Sequence, residues 1–320
     1  MDPKLALHIH DVMVQSRQTE EALIRMMRSG HGYFWIGGPG EEAFGVPLGL
    51  LVDKGSGPAH DYLHLHYRSS CTVMAMGTAP IDLLRQMRST ITDPFSGGRN
   101  FAGHLSIPQW NVVPGTSTIE TQYVTALGTA WVQRRHGGTG ISIVNGGDAG
   151  TAEGDFASCL NWSSRPGQEL PILMIVTHNG IGISTPAAQV QNTPALHERA
   201  IPFGIRHGRV DGNDPQASWA ALQEAMAYVR TERRPFLLQA DVSRLYGHSS
   251  SSGARPEGGR DCLSEYEAKL ADQGLLSPQQ AAQIHERWRE HLRDAVHQVL
   301  KEPMPTKDDV FTHIFYRAPD

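Results

Sequence analysis

The chain has 320 residues, enough for one full α/β core or two small ones, and its 39% hydrophobic and 19% charged residues are ordinary for a soluble globular protein. A formal net charge of −5 offers no electrostatic attraction toward nucleic acid or an anionic membrane, and neither is expected as a partner. Cys71, Cys159 and Cys262 are few and scattered, so they indicate neither a disulfide framework nor a CxxC metal site and favour a reducing compartment.

Residues 5–29 place Leu7, Val12, Met13, Leu23, Ile24, Met26 and Met27 among charges and predict one or two helices. The N-terminal segment has no apolar core of signal-peptide type. The uncharged stretch 43–52, interrupted by Pro47, is too short to span a bilayer, and the expected location is cytoplasmic. Gly37-Gly38-Pro39-Gly40-Glu41-Glu42-Ala43 contains a loose G-x-G-x-x-A fingerprint, discounted because two glutamates would sit where a pyrophosphate should go. Residues 61–68 read as a strand that puts His64 and His66 on one face, as zinc ligands would be, but no third ligand is nearby. A helix is predicted over 125–135, ending at Gly137-Gly138.

The centre of the chain carries the chemistry. Residues 140–144 form a short β-branched strand that stops at Asn145-Gly146-Gly147-Asp148-Ala149-Gly150. Residues 153–162 read as a helix with Phe156, Cys159 and Leu160 on one face, and 171–176 as a second apolar strand ending at His178-Asn179-Gly180. Two such strands joined by a helix make a right-handed parallel βαβ unit. If they are neighbours, Asp148 and Asn179 emerge on the same rim, where open α/β sheets bind ligands. A carboxylate and an amide oxygen together suit Mg²⁺, and the glycines admit backbone N–H groups to a phosphate, which points to a Mg²⁺–diphosphate site.

Gly147-Asp148-Ala149-Gly150-Thr151-Ala152-Glu153-Gly154-Asp155-Phe156, then Asn161, then His178-Asn179-Gly180-Ile181-Gly182-Ile183-Ser184-Thr185 resembles the thiamine diphosphate motif. Its nearest form is that of the alpha subunit of the decarboxylating component of 2-oxo acid dehydrogenase complexes. Ala149 stands for the motif's second glycine, His178 for its first asparagine, and Thr177 for an arginine that many relatives place on the diphosphate. Further matches are Gly40-Glu41-Glu42-Ala43 opening a helix, Tyr67-Arg68, Gly97-Gly98-Arg99 with His104, and Ser117, Ile119 and Thr121-Gln122. Arg209-Val210-Asp211-Gly212-Asn213-Asp214 precedes a predicted helix over 217–231 and a strand over 235–242. Ser243-Arg244-Leu245-Tyr246-Gly247-His248-Ser249 matches the family's mobile loop without its following acidic pair. Charged helices over 264–300, starting anew at Ser277-Pro278, and a Phe311 to Tyr316 tail complete the likeness.

The resemblance implies an α/β fold, a mostly parallel sheet flanked by helices, as one domain. It would comprise a helical arm (about 1–30), a core (31–248), a mobile loop (249–260) and C-terminal helices and tail (261–320). It implies thiamine diphosphate and Mg²⁺ as cofactors. Asp148, Asn179 and the Ile181 carbonyl would hold the metal, and Tyr67, Arg68, Ser117, Ile119, Gly147, Ala149, Gly150 and His248 would meet the cofactor. Ile119 would keep the cofactor bent, and His248, with an ordinary pKa in the working range, would be the catalytic residue. Phe34, flanked by Tyr33 and Trp35, and His104 would face the substrate, which on that basis is a branched-chain 2-oxo acid. No glutamate stands out for the aminopyrimidine nitrogen, a group the family takes from a beta subunit. The implied activity is oxidative decarboxylation with reductive acylation of a lipoyl group on an acyltransferase component, in an α2β2 assembly inactive without its beta chains. Pyruvate or acetoin dehydrogenase, a transketolase-like transferase and a degenerate non-catalytic subunit stay open as alternatives.

Overall fold

Five parallel strands form the central sheet of the computed structural model, which describes residues 1–253, 259–312 and 314–315. In chain order the elements are α1 (Pro3–Arg28), α2 (Glu42–Leu51), β1 (Tyr62–His64), α3 (Ser70–Met76), α4 (Pro80–Arg88), α5 (Thr121–His136), β2 (Ser142–Gly147) and α6 (Gly154–Ser163). There follow β3 (Ile172–His178), the hairpin β4 (Ile181–Gly182) and β5 (Thr185–Pro186), α7 (Ala187–Val190), β6 (Arg206–Asp211), α8 (Pro215–Glu232), β7 (Phe236–Asp241), α9 (Cys262–Asp272) and α10 (Pro278–Val299).

The sheet order is β1-β2-β3-β7-β6. The chain steps outward through β1, β2 and β3, then places β6 at the far edge and returns through α8 to insert β7 beside β3. The direction of winding therefore reverses between β3 and β7, and at such a reversal the loops after adjacent strands part and leave a crevice. The predicted βαβ unit is present, with Gly147 opposite Thr177 at the ends of its two strands.

Both faces of the central strands β2, β3 and β7 are covered, which is why they are buried nearly throughout, whereas the edge strand β6 is polar and partly exposed. Val144, Ile172, Met174 and Val176 pack with Tyr123, Phe156, Cys159 and Leu160 from α5 and α6. Ile143, Leu173, Ile175 and Leu238 point the other way, onto Phe44 and Leu48 of α2 and Leu222, Met226 and Val229 of α8. The segment 5–29 forms one helix, α1, which is capped by Asp2, ends at the C-cap Ser29 and packs against α10 and α4. The helical C-terminal region is two helices, and Ser277 starts the second with a reciprocal cap to Gln280.

Two expectations change. The strand around residue 63 ends at His64, so His66 lies beyond it. The helix expected at 125 starts at Thr121, directly after Glu120, whose φ is 66°. In Gly97-Gly98-Arg99, Arg99 donates to the Asp309 carbonyl across 2.6 Å and to Thr312. His313 and Tyr316 of the tail, and residues 254–258 of the loop, lie outside the described residues. No described helix is long and apolar enough to cross a membrane.

Candidate active site

The carboxyl ends of β1, β2, β3 and β7 feed one cavity of about 380 Å³. Its wall takes His66, Tyr67 and Arg68 from beyond β1, Gly147 to Gly150 from the end of β2, and Thr177, Asn179 and Ile181 to Ile183 from β3 and the hairpin. Ile119 and Glu120 come from the segment before α5, Glu41 from the start of α2, and His248 from beyond β7.

Asp148 is buried at the mouth of the β2 turn. Its Oδ1 accepts from the Ala149 N–H at 2.7 Å, and its Oδ2 accepts from the Gly180 N–H at 2.8 Å and lies 2.9 Å from His178 Nδ1. Asn179 points its Oδ1 at the Ile181 N–H, 3.2 Å away. Gln191 and Arg199 brace the turn from behind, donating to the Asp148 and Thr151 carbonyls at 2.8 Å each.

Arg68 is buried and donates to the Gly37 carbonyl and, at 2.9 Å, to His248 Nδ1. Burial, then the neighbouring Arg68 and Arg244 charges, push the His248 imidazole down to about 4. At neutral pH it is uncharged, which corrects the expectation of a titration in the working range. Burial likewise holds His66 well below its ordinary value, with Arg68, His248 and His104 adding to the effect. The segment after His248 has no apolar anchor, but polar bonds hold its start: Ser250 donates its N–H to the Trp35 carbonyl at 2.8 Å and accepts the Trp35 N–H at 3.1 Å.

Of the sequence-predicted residues, Tyr67, Arg68, Ile119, Gly147, Asp148, Ala149, Gly150, Asn179, Ile181 and His248 are brought together around the cavity. Phe34, His104 and Ser117 are not in its wall. They form a row beside it, in which Phe34 meets Phe101 edge-on at 5.4 Å, Phe101 leans on His104 at 4.3 Å, and His104 Nε2 is 2.7 Å from Ser117 Oγ. The zinc reading of His64 fails, since both its ring nitrogens are engaged by Thr125 and Thr129.

Two glutamates that the sequence did not single out also line the cavity. Glu41 is pushed up to about 7 by burial, against the pull of Arg68, and its Oε1 has no partner among the described residues. Glu120 is pushed up to about 8, first by burial, and neither of its oxygens has a partner there. Glu41 could have been found from its place in the discounted glycine run. Glu120 sits among four matched positions, and that placement was its only signal.

The donor set suits a metal-bound diphosphate. Among the described residues no three His, Cys, Asp or Glu side chains converge on one point. Asp148, Asn179 and Ile181 in the wall bring a carboxylate, an amide and a carbonyl oxygen, donors that could hold a hard cation together with oxygens of a ligand. Unpartnered polar atoms of Glu41, Glu120 and His66 in the wall fit a cavity that receives a polar group.

The sequence profile of the family described as dehydrogenase E1 component matches residues 10–308. The chain belongs to this family. Among curated members, it is 29% identical over 281 residues to the 2-oxoisovalerate dehydrogenase subunit alpha of Bacillus subtilis, covering 85% of this chain and 83% of that one. It is 28% identical over 319 residues to the 3-methyl-2-oxobutanoate dehydrogenase subunit alpha of Mycobacterium tuberculosis, covering 96% and 82%. With the mitochondrial 2-oxoisovalerate dehydrogenase subunit alpha of Homo sapiens it shares 25% identity over 333 residues, covering 99% and 73%. As a dehydrogenase E1 component, the chain has the mostly parallel, helix-flanked sheet expected from its sequence.

Proposed function

We propose that this chain is the alpha subunit of a thiamine diphosphate-dependent branched-chain 2-oxo acid dehydrogenase, which decarboxylates its substrate oxidatively and acylates a lipoyl group on an acyltransferase component. The observation that carries it is the convergence of Asp148, Asn179, Arg68 and His248 on one cavity at the winding reversal of the sheet. The printed names of the relatives support the substrate class.

Thiamine diphosphate supplies the nucleophilic carbon and electron sink that decarboxylation needs. The protein's own residues bind and orient. Asp148, Asn179 and the Ile181 carbonyl would hold Mg²⁺. Arg68, a planar donor already aimed by the Gly37 carbonyl, would bind the diphosphate together with His248. With its Nδ1 accepting from Arg68, neutral His248 keeps its Nε2–H to donate as a hydrogen bond, and Ile119 at the mouth would hold the cofactor bent. Ile119, Ile183 and Val190 are 44%, 51% and 49% exposed around this mouth, which supports a beta subunit closing it in an α2β2 assembly.

The test is calorimetric binding of thiamine diphosphate with Mg²⁺ to the full chain, with and without the beta subunit, followed by turnover of 3-methyl-2-oxobutanoate against pyruvate. Binding and branched-chain preference in the assembly are expected. An assembly that binds no cofactor leaves only the degenerate-subunit reading.

A further inference from the structure

The glycine run Gly37-Gly38-Pro39-Gly40 has no part in the proposed chemistry, yet the segment that carries His248 is laid along it. Ser243 and Leu245 donate their N–H groups to the Gly40 and Pro39 carbonyls at 3.4 and 3.1 Å, and Ser250 donates to the Trp35 carbonyl at 2.8 Å. Ile36 and Ser249 face each other in an antiparallel bridge, so the register sets His248 beside Gly37. Arg68 crosses the pair at that point, donating to the Gly37 carbonyl and to His248 Nδ1. Such close pairing needs glycine. Gly40 has a φ of 108°, and a Cβ on it would lie 2.4 Å from the Ser243 carbonyl oxygen.

What holds this run lies on its other side. Glu20 of α1 is 3% exposed, and its Oε2 accepts the Trp35 indole N–H at 2.8 Å while its Oε1 accepts the Ser70 hydroxyl at 2.5 Å. A Cβ on Gly37 would lie 2.1 Å from Oε2, so the backbone passes directly over the carboxylate. Burying a carboxylate this deeply is costly unless good donors meet it, which makes the indole bond a firm constraint on where Trp35 sits. Trp35 is buried as well. Its backbone N–H goes to Ser250 Oγ at 3.1 Å, and its ring meets Tyr246 edge-on at 6.2 Å. Ser70, at the start of α3, follows Arg68 by two residues. One carboxylate therefore braces both the run that seats His248 and the segment that carries Arg68. Neither Glu20 nor Trp35 is in the cavity wall, so any effect on the chemistry passes through these partners.

We propose that Glu20 and Trp35 are positioning residues for His248. Their hydrogen bond fixes the 35–40 run on which the 243–250 segment docks, and so holds the imidazole at the Arg68 guanidinium beside the cavity. The role given to His248 rests on the thiamine diphosphate reading, whereas the docking does not.

The experiment has two arms. The first is hydrogen exchange read by mass spectrometry on the full chain with no cofactor added. Trp35→Phe keeps a ring and removes the indole N–H, so exchange over 243–250 is expected to quicken about tenfold while β2 and β3 exchange as in wild type. Glu20→Gln keeps an acceptor for the indole and should stay within about twofold of wild type. Should Trp35→Phe not fold, Ser250→Ala decides, because this exposed position supplies the acceptor for the Trp35 N–H; its removal should quicken the same exchange about fivefold. The second arm is turnover with the beta subunit at saturating thiamine diphosphate and Mg²⁺. Trp35→Phe should lower kcat for lipoyl acylation about tenfold with KM for the 2-oxo acid within about twofold, and Glu20→Gln should hold both. Unchanged exchange over 243–250 overturns the proposal. Faster exchange spread evenly over β2, β3 and this segment also overturns it, since the pair would then be an ordinary part of the core. Full kcat beside locally fast exchange overturns the link to His248. A wild-type assembly without turnover fails the functional reading and leaves the docking to stand or fall on the exchange arm.

Discussion

Arg68 Nη2 donates to His248 Nδ1 across 2.9 Å, although the two residues are 180 apart in the chain. The bond joins the segment after β1 to the segment after β7 over the mouth of the crevice, and the same guanidinium is fixed from the other side by the Gly37 carbonyl. A lysine is a point charge on a flexible stem and cannot serve both partners at once. Arg68→Lys is expected to weaken thiamine diphosphate binding by about 1–3 kcal/mol while the fold survives. Unchanged affinity by calorimetry would remove Arg68 from the diphosphate site.

His248 itself should matter more to chemistry than to binding. With its imidazole held neutral down to about pH 4 and Nδ1 occupied by Arg68, it keeps one ring N–H as a hydrogen-bond donor throughout the working range. His248→Ala in the assembled complex should lower lipoyl acylation by about 10²-fold, and decarboxylation with an artificial electron acceptor less. No acid limb near pH 6.5 should belong to His248, because burial and the Arg68 charge disfavour its protonation there. A limb at that pH that vanishes in the alanine variant would show that the imidazole titrates in the ordinary range after all.

Asp148→Ala should abolish Mg²⁺-dependent cofactor binding, since it removes the one carboxylate of the proposed metal set. Asn179→Ala should weaken it less, because an amide oxygen brings no charge to the ion. The readout is cofactor affinity titrated against Mg²⁺ concentration. Equal affinities for the wild type and both variants at limiting metal would move the cation elsewhere.

How much of this was legible in the sequence follows from how local each feature is. The β2–α6–β3 unit could be read because both strands are continuous apolar runs cut off by glycine-bearing turns, and Asp148 and Asn179 sit at the cuts. The helix start at Ser277 was legible from its capping and proline residues, whereas that at Glu42 was implied only by the family resemblance. Glu120 was not legible, because a carboxylate one position before a helix looks like a solvated cap; only the positive φ sends it inward. The neutrality of His248 depends on an arginine far away in sequence. His66 was misread because β1 is three residues long, too short for the alternation pattern to be tested. The row from Phe34 through Phe101 to Ser117 is a tertiary contact that no periodicity encodes.

Asp61 anchors the opposite end of the sheet. It is fully buried, accepts from Arg230 at 2.6 and 2.5 Å, and takes the N–H groups of Ile141 and Asp53 at 3.1 and 2.9 Å. The pair ties the end of α8 to the starts of β1 and β2. Asp61→Ala strands the two N–H groups and takes the counter-ion from a part-buried guanidinium that keeps only its bond to the Thr139 carbonyl, at a cost of about 3 kcal/mol. Urea unfolding should show a lower midpoint with the slope unchanged, and a shift equivalent to under about 1 kcal/mol would mean that Arg230 swings out to water and the N–H groups find other acceptors.

Glu41 predicts the pH dependence of stability. Its carboxyl stands at about 7 in the folded chain against 4.5 as the reference value, with burial the main cause. Folding therefore favours the protonated form, and the folded state binds more protons than the unfolded state between these two values. Stability contributed by the neutral carboxyl is fully present below about pH 4.5 and is lost as pH rises to about 7, beyond which the loss is complete. Other carboxylates act in the opposite sense at low pH, among them Glu267, held at about 2 by His10 and His285 against the effect of burial. Glu41 is thus best seen by difference. Glu41→Gln removes the titration while keeping the side chain's shape, so its melting temperature should fall less than that of the wild type between pH 5 and pH 7. The gap should stay constant from there upward. Parallel melting curves for the two proteins over that interval would place the Glu41 carboxyl at its ordinary value in the folded chain.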